Sequence, residues 1–101
     1  MDNTRWNTLD IKEQLSNVHG EVVRLVRARN NYLSGKTDKD CTSSYIDKIH
    51  RLIDMTCEDP KNVRRINELH DEECEIDRWK AGEVDDRYIL RYWEQYTNAI
   101  S

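Results

Sequence analysis

Residues that interrupt helices are scarce in this sequence, which has one proline and three glycines among 101 residues. Sandwiches and barrels need many more turn residues, so the composition disfavours them and favours a charged helical bundle. Apolar residues make up 37% of the chain and recur at regular intervals, which is too many for a disordered chain. A chain of this length builds one small core, and we expect a single helical domain over residues 1–101.

Paired cysteines and long apolar runs are also missing. The three cysteines, Cys41, Cys57 and Cys74, are odd in number and contain no C-x-x-C pair. This usage is typical of reduced thiols in a cytosol-like compartment. No apolar run approaches the length of a signal peptide or of a membrane span. The sequence therefore predicts a cytoplasmic protein without membrane association.

The longest regular pattern lies between residues 9 and 33, where apolar residues recur in steps of three and four. A helix of about 25 residues would be roughly 37 Å long. The helices predicted after it are shorter, so they could not cover its whole length. Its stripe is widest between Val22 and Val26, and monomers avoid exposing such a patch. We therefore expect a homodimer with this helix in the interface. Within the helix, Gly20 marks either a close approach of another helix or a weak point.

Capping residues divide the rest of the chain into helices. Thr8 is the predicted N-cap of the long helix, and Gly35 is its left-handed cap residue. Asp59 before Pro60 is the clearest helix start, and Ala81-Gly82 ends that helix. The sequence thus predicts an all-α fold, a four-helix arrangement of two antiparallel helical hairpins with one long first helix. The helices are expected at about residues 8–33, 44–57, 60–81 and 86–100.

Charge is unevenly distributed, although the net charge is only −4. Residues 1–36 carry six basic and four acidic side chains, whereas residues 66–101 carry four basic and ten acidic ones. Binding to a nucleic-acid backbone generally needs more positive charge than this, and the acidic end would repel phosphate. We therefore expect a protein partner rather than nucleic acid. Arg24 and Arg27, on one side of the first helix, form a candidate basic face.

One polar stripe on the third predicted helix carries residue types that bind zinc. Its members, at helical spacing, are His70, Glu73, Cys74 and Asp77. One straight helix does not surround a metal tetrahedrally, so a second helix would have to contribute His50 or Cys57. We therefore expect neither a metal nor another cofactor.

Arg65 and His70 are separated by four residues. This spacing resembles the Arg-x4-His signature of the HEPN ribonucleases, which are small four-helix proteins that often dimerise. The resemblance covers six residues and implies metal-independent RNA cleavage, with both side chains in one cleft. A small helical nuclease or nucleotide hydrolase is accordingly the alternative to a protein that acts by binding.

The last predicted helix is rich in aromatic residues, the side chains that dominate interface hot spots. Its candidate partner-binding residues are Tyr88, Tyr92, Trp93 and Glu94. The apolar stripe of this helix includes Trp93 and leaves Tyr88 and Tyr92 towards its edge. Such residues are typical either of core packing or of a binding surface, and the acidic surroundings favour a partner with a basic surface.

The sequence favours a non-enzymatic protein–protein interaction module, a small regulator or inhibitor that binds a macromolecular partner. In size it resembles the accessory proteins of phages and mobile elements that bind and block a host protein. No phosphate-binding loop or nucleophile motif is present.

Overall fold

A computed structural model describes residues 3–100 of the chain; Met1, Asp2 and Ser101, which belong to the domain expected over residues 1–101, lie outside the described residues. Within that range the chain forms helices and no strand, which confirms the all-α class. In chain order the helices are α1 (Thr4–Asn7), α2 (Ile11–Leu33), α3 (Thr42–Glu58), a 3-10 helix (Pro60–Arg65), α4 (Ile66–Lys80) and α5 (Asp86–Ala99).

The four long helices pack so that each contacts two of the others. α2 packs against α3 and α5, and α4 packs against the same two helices. α4 and α5 run antiparallel, because Trp79 near the end of α4 contacts Asp86 at the start of α5. Glu68 near the start of α4 correspondingly contacts Tyr96 near the end of α5. The predicted four-helix arrangement with one long first helix is confirmed.

The apolar stripe of α2 is buried by the chain itself. Leu15, Val18, Val22 and Leu25 have no exposed area, and Val26 is almost as buried. Because α3 and α5 both cover this helix, its stripe provides no reason for dimerisation, contrary to the argument from helix length. The homodimer stays a prediction. The core partners of the stripe on the other helices include Ile46, Ile49, Ile53, Leu69, Ile76, Ile89 and Trp93.

The long helix begins later than predicted, because Asp10 rather than Thr8 is its N-cap. The Asp10 carboxylate accepts a hydrogen bond from the Glu13 backbone N–H at 2.7 Å. The Glu13 side chain accepts one from the Asp10 N–H at 3.3 Å. This capping box satisfies two backbone donors at once, whereas the Thr8 hydroxyl donates back to the Arg5 carbonyl.

The third predicted helix, residues 60–81, is divided into two parts. Asp59 and Pro60 stand at its cap and first position, as predicted. The segment Pro60–Arg65 is nevertheless a 3-10 helix, and the α-helix starts only at Ile66. The tighter winding accompanies the inward position of Asn62, which is buried. The bounds of α3 and α5 agree with the predicted ones to within two residues.

Two of the three glycines have the backbone conformation that only glycine adopts readily. Gly35 and Gly82 follow α2 and α4 with φ of +80°, which confirms both predicted helix ends. Gly20 differs, since a Cβ there would meet only the Arg24 guanidinium, at 3.4 Å. The close helix approach considered for Gly20 is therefore wrong, and this glycine is a weak point in α2.

A group of buried polar side chains joins α1, α2 and the 3-10 helix. Gln14 is fully buried, and its amide nitrogen donates to the Trp6 carbonyl at 3.0 Å and to the Asp59 carboxylate at 2.9 Å. Asn62 donates to Gln14 Oε1 and to the Thr56 carbonyl, both at 2.9 Å. Buried polar groups are costly without partners, so these bonds select one position for each segment.

Replacing Asn62 with alanine should therefore destabilise the fold. The substitution leaves the buried Gln14 Oε1 and the Thr56 carbonyl without this donor, and each loss costs about 1–3 kcal/mol. We expect Asn62→Ala to lower the free energy of unfolding by about 2 kcal/mol or more in a urea titration. Asn67→Ala, at an exposed position of α4, is the matched control and should stay within about 0.5 kcal/mol of the wild type. Equal effects of the two substitutions would contradict the role given to the network.

Candidate functional site

The candidate site is built on α5, whose start is held by two aspartates. The Asp85 side chain accepts a hydrogen bond from the Tyr88 backbone N–H at 2.8 Å, which caps the helix. The Asp86 carboxylate accepts one from the Trp79 indole of α4 at 2.7 Å. The first turn of α5 is thereby attached to the last turn of α4, and the rotation of α5 about its axis is set there.

This rotation directs three tyrosines towards α4. Ile89, Trp93 and Thr97 occupy the buried side of α5. The tyrosines, at spacing i, i+4 and i+8, follow the adjacent side, where α4 packs. We define the tyrosine face as Tyr88, Tyr92 and Tyr96 of α5 with Glu68, Glu72 and Glu75 of α4.

Each tyrosine of the face has a specific contact. The Tyr92 hydroxyl donates to Glu72 Oε1 at 3.1 Å, and the Tyr96 hydroxyl donates to Glu68 Oε2 at 3.4 Å. The Tyr88 ring stacks on the Tyr92 ring with centroids 6.0 Å apart and planes inclined by 21°. The guanidinium of Arg78 lies 5.9 Å from the Tyr88 ring centroid, within reach of a cation–π interaction.

Exposure distinguishes the tyrosines. Tyr88 is 40% exposed, which makes it one of the few large apolar side chains on the described surface. Tyr92 and Tyr96 are half-buried and pack against the core. Beside the two stacked rings lies a small depression of about 120 Å³, lined by Tyr88, Arg91, Tyr92 and Gln95. A depression of this size is smaller than most small-molecule sites, so the face offers an exposed ring rather than a ligand pocket.

Glu72 beneath the tyrosines is a buried acid. Burial raises its pKa to about 8, the hydrogen bond from Tyr92 opposes this shift, and the negative charges of Glu75, Asp71 and Glu68 add to it. Its second oxygen, Oε2, is buried and has no hydrogen-bond partner among the described residues. Burial and the same carboxylate also raise the pKa of Tyr92, so its hydroxyl keeps its proton. The burial of this pair therefore favours its uncharged form.

The structure separates the four residues predicted for partner binding. Tyr88 and Tyr92 lie together on the tyrosine face. Trp93 has no exposed area and belongs to the core, so we do not include it in the candidate surface. Glu94 is exposed on another side of α5, near His19 of α2. Burial lowers the pKa of His19, and the charge of Glu94 partly opposes this.

The predicted basic face of α2 is partly neutralised. Glu21, which is buried, accepts from Arg24 at 2.8 Å and from Lys48 of α3 at 3.1 Å through the same oxygen. Arg27 is exposed on the outer side of the helix. Arg24 therefore contributes less free positive charge to this face than the sequence alone indicates.

The four residues of the polar stripe considered for metal binding do not face the same environment. His70 and Cys74 are exposed, whereas Glu73 and Asp77 turn towards α3. There they contact His50, with Nδ1 2.7 Å from Glu73 Oε2 and Nε2 3.0 Å from Asp77 Oδ1. No group of three or more His, Cys, Asp or Glu side chains within residues 3–100 is arranged to hold a metal ion.

Arg65 and His70 lie on different helical segments. Arg65 is the last residue of the 3-10 helix and the N-cap of α4, whereas His70 lies within α4. The Arg65 guanidinium contacts Glu68 at 3.4 Å, on the α5 side. His70 is exposed elsewhere on α4.

Sequence reasoning missed Glu72 and the role of His50 in this region. Glu72 is one of five acids among residues 68–75, and nothing local distinguishes it from the others. Only the register of α4 against α5 brings Tyr92 to it.

Removing the Tyr92 hydroxyl should destabilise the fold. Tyr92→Phe keeps the ring but leaves Glu72 Oε1 without its donor, and an unsatisfied buried polar group costs about 1–3 kcal/mol. We expect a loss of about 1 kcal/mol or more in the free energy of unfolding at pH 6. Tyr88→Phe, the control on the same face, should change it by less than about 0.5 kcal/mol. A loss confined to Tyr88→Phe, or none in either variant, would refute the assignment.

The comparisons with known proteins give no family assignment. No protein-family model, no curated protein and no solved structure matches the chain. Among the described residues, every helix is too short or too polar to cross a bilayer.

Proposed function

We propose that this chain is a non-enzymatic protein–protein interaction module, a small regulator or inhibitor that binds a macromolecular partner through the tyrosine face. The observation that carries the proposal is the Tyr88 ring, which is 40% exposed yet held by its neighbours. Its cytoplasmic location, its homodimeric state and its likeness to phage or mobile-element accessory proteins remain predictions.

The restrained position of Tyr88 supports a role in binding. An exposed side chain loses conformational freedom when it is bound, and this loss weakens the complex. Tyr88 has already lost part of that freedom, because Tyr92 stacks on one side and Arg78 lies over the ring. Tyr92 is in turn held by Glu72. A large and pre-organised aromatic ring is the side chain most often found at interface hot spots.

The charges around the face support a partner with a basic surface. Glu68 and Asp71 are exposed on α4 beside the tyrosines. Arg78 is paired with Glu75 at 3.0 Å, and Arg65 is paired with Glu68 at 3.4 Å. The negative charge on this side of the bundle comes from the excess of acids in residues 66–101, which carry ten acidic and four basic side chains. Such a field speeds the approach of a positively charged surface and orients it, more than it adds to affinity.

The nuclease alternative has less support. It needs Arg65 and His70 to act on one phosphate, but Arg65 lies at the end of the 3-10 helix and His70 lies at an exposed position within α4. Arg65 is also engaged by Glu68. A second copy of the chain would have to supply the missing half of such a cleft.

Substitution of Tyr88 should weaken partner binding without changing the fold. We expect Tyr88→Ala to raise the dissociation constant by about fivefold or more, which corresponds to about 1 kcal/mol. The partner would first be captured on the immobilised wild type from a lysate of the organism that encodes the chain, and then purified. Association should slow as salt increases, because screening removes the steering.

Tyr32→Ala provides a matched control for that experiment. Tyr32 is 38% exposed, nearly the same as Tyr88, but it lies at the end of α2. The control variant should bind like the wild type, and both variants should keep the wild-type melting temperature. Unchanged affinity of a folded Tyr88→Ala variant would refute the tyrosine face as the binding surface.

An RNA cleavage assay separates binding from catalysis. We expect no cleavage of single-stranded RNA by the wild type, with or without added Mg²⁺ or Mn²⁺. Turnover that disappears in His70→Ala, with the fold preserved by circular dichroism, would establish the nuclease alternative instead.

A further inference from the structure

Two hydrogen-bonding arrangements hold α4 from opposite sides, and each contains a side chain whose protonation affects its stability. On the α3 side, both ring nitrogens of His50 lie within hydrogen-bond distance of a carboxylate of α4, Glu73 at 2.7 Å and Asp77 at 3.0 Å. Ionised carboxylates only accept hydrogen bonds, so both nitrogens must carry a hydrogen. That form of histidine is the imidazolium cation. Loss of one proton removes one of the two bonds and both ion pairs.

Other charged side chains also lie near His50. Asp47, Arg51, Asp54 and Glu58 of α3 line a groove beside the imidazole, but the acids that raise the pKa of His50 are Glu73 and Asp77 of α4. Burial lowers the pKa of His50, but the hydrogen bonds and charges of Glu73 and Asp77 outweigh it, so that the net pKa is raised.

On the α5 side, the proton belongs to Glu72. Its side chain is 3% exposed, Oε1 accepts from Tyr92 of α5, and Oε2 has no partner within residues 3–100. Glu68, Asp71 and Glu75 of α4 surround it with negative charge. An ionised Glu72 would have one hydrogen bond to offset its desolvation, which is too little for a buried charge. The protonated acid avoids that cost.

We propose that α4 is held most firmly in the bundle when two side chains are protonated, His50 facing Glu73 and Asp77 and Glu72 beneath Tyr92. Raising the pH weakens both attachments, since His50 loses the charge that joins α3 to α4 and Glu72 gains a buried charge between α4 and α5. The bundle is therefore most stable at mildly acidic pH. The proposal does not depend on the identity of any partner.

The sign of the pH dependence follows from linkage between protonation and folding. Both groups have a higher pKa in the folded chain than in the unfolded chain. Their contribution is complete below the unfolded-state values, 4.5 for Glu72 and 6.5 for His50. It is lost as the pH rises through the folded-state values, which for Glu72 is about 8. Between about pH 6 and pH 8 these two groups should therefore lower the stability of the wild type as the pH rises.

The test compares unfolding of the full chain by urea at several pH values from 6 to 9 in four variants. Glu72→Gln cannot ionise and nearly preserves the shape of the side chain. At pH 9 its unfolding equilibrium constant should be smaller than that of the wild type by at least about tenfold, the factor given by a change of one in pKa. His50→Gln should be less stable than the wild type at pH 6 and should approach it at pH 9. Exposed controls, His70→Gln on α4 and Glu83→Gln after it, should follow the wild-type profile.

A nuclear magnetic resonance titration of the wild type tests the same proposal without any substitution. The side-chain carboxyl carbon of Glu72 should titrate well above the ordinary pKa of 4.5. The His50 ring should titrate above its ordinary pKa of 6.5. Ordinary values for both groups, or identical pH profiles for the wild type, Glu72→Gln and His50→Gln, would overturn the proposal.

Discussion

The hydrogen bonds of Gln14 are the constraint on which the rest of the bundle depends. This one buried side chain of α2 donates to the Trp6 carbonyl and to Asp59, and it accepts from Asn62. It therefore joins the N-terminal segment to the connection between α3 and α4. Apolar packing alone tolerates small shifts of one helix along another, but a buried amide without partners is costly. The connection accordingly has one position, and the register of α4 against its neighbours follows from it.

The register of α4 lowers the stability of the bundle at one position and supports the tyrosine face at the same position. The helix has acids on several sides, and the fold turns one of them, Glu72, into the seam with α5. A buried acid lowers stability at neutral and higher pH, whereas an apolar residue in its place would not. In return, Glu72 holds the Tyr92 hydroxyl, and Tyr92 supports the exposed ring of Tyr88. Binding sites often contain groups that are unfavourable for stability, and the tyrosine face has this character.

The surface offers little to a small ligand and more to a macromolecule. The depression beside Tyr88 and Tyr92 is small, and the tyrosine face is bordered by exposed acids. On α2, Arg24 is paired with a buried glutamate, which reduces the attraction of that side for phosphate. These features agree with our proposal of a protein partner that has a basic surface. They also explain why the exposed end of α2, with Tyr32 and Leu33, is a useful comparison surface: it is apolar but is not bordered by the same acids.

The sequence by itself determined those features that depend on residues close together in the chain. The helix start at Asp59-Pro60, the helix ends at Gly35 and Gly82, and the apolar stripes all follow from contacts within about one or two turns. The tertiary structure decided everything that depends on the register between helices. Asn62 meets Gln14 across 48 positions, His50 meets Glu73 across 23, and Tyr92 meets Glu72 across 20. No local pattern distinguishes Glu72 from the four acids near it. Nor does any local pattern show that Trp93 lies in the core and Tyr88 on the surface, because burial depends on which helix packs against each side. The length of α2 similarly pointed to a dimer, and only the packing of α3 and α5 together revealed that one chain covers it.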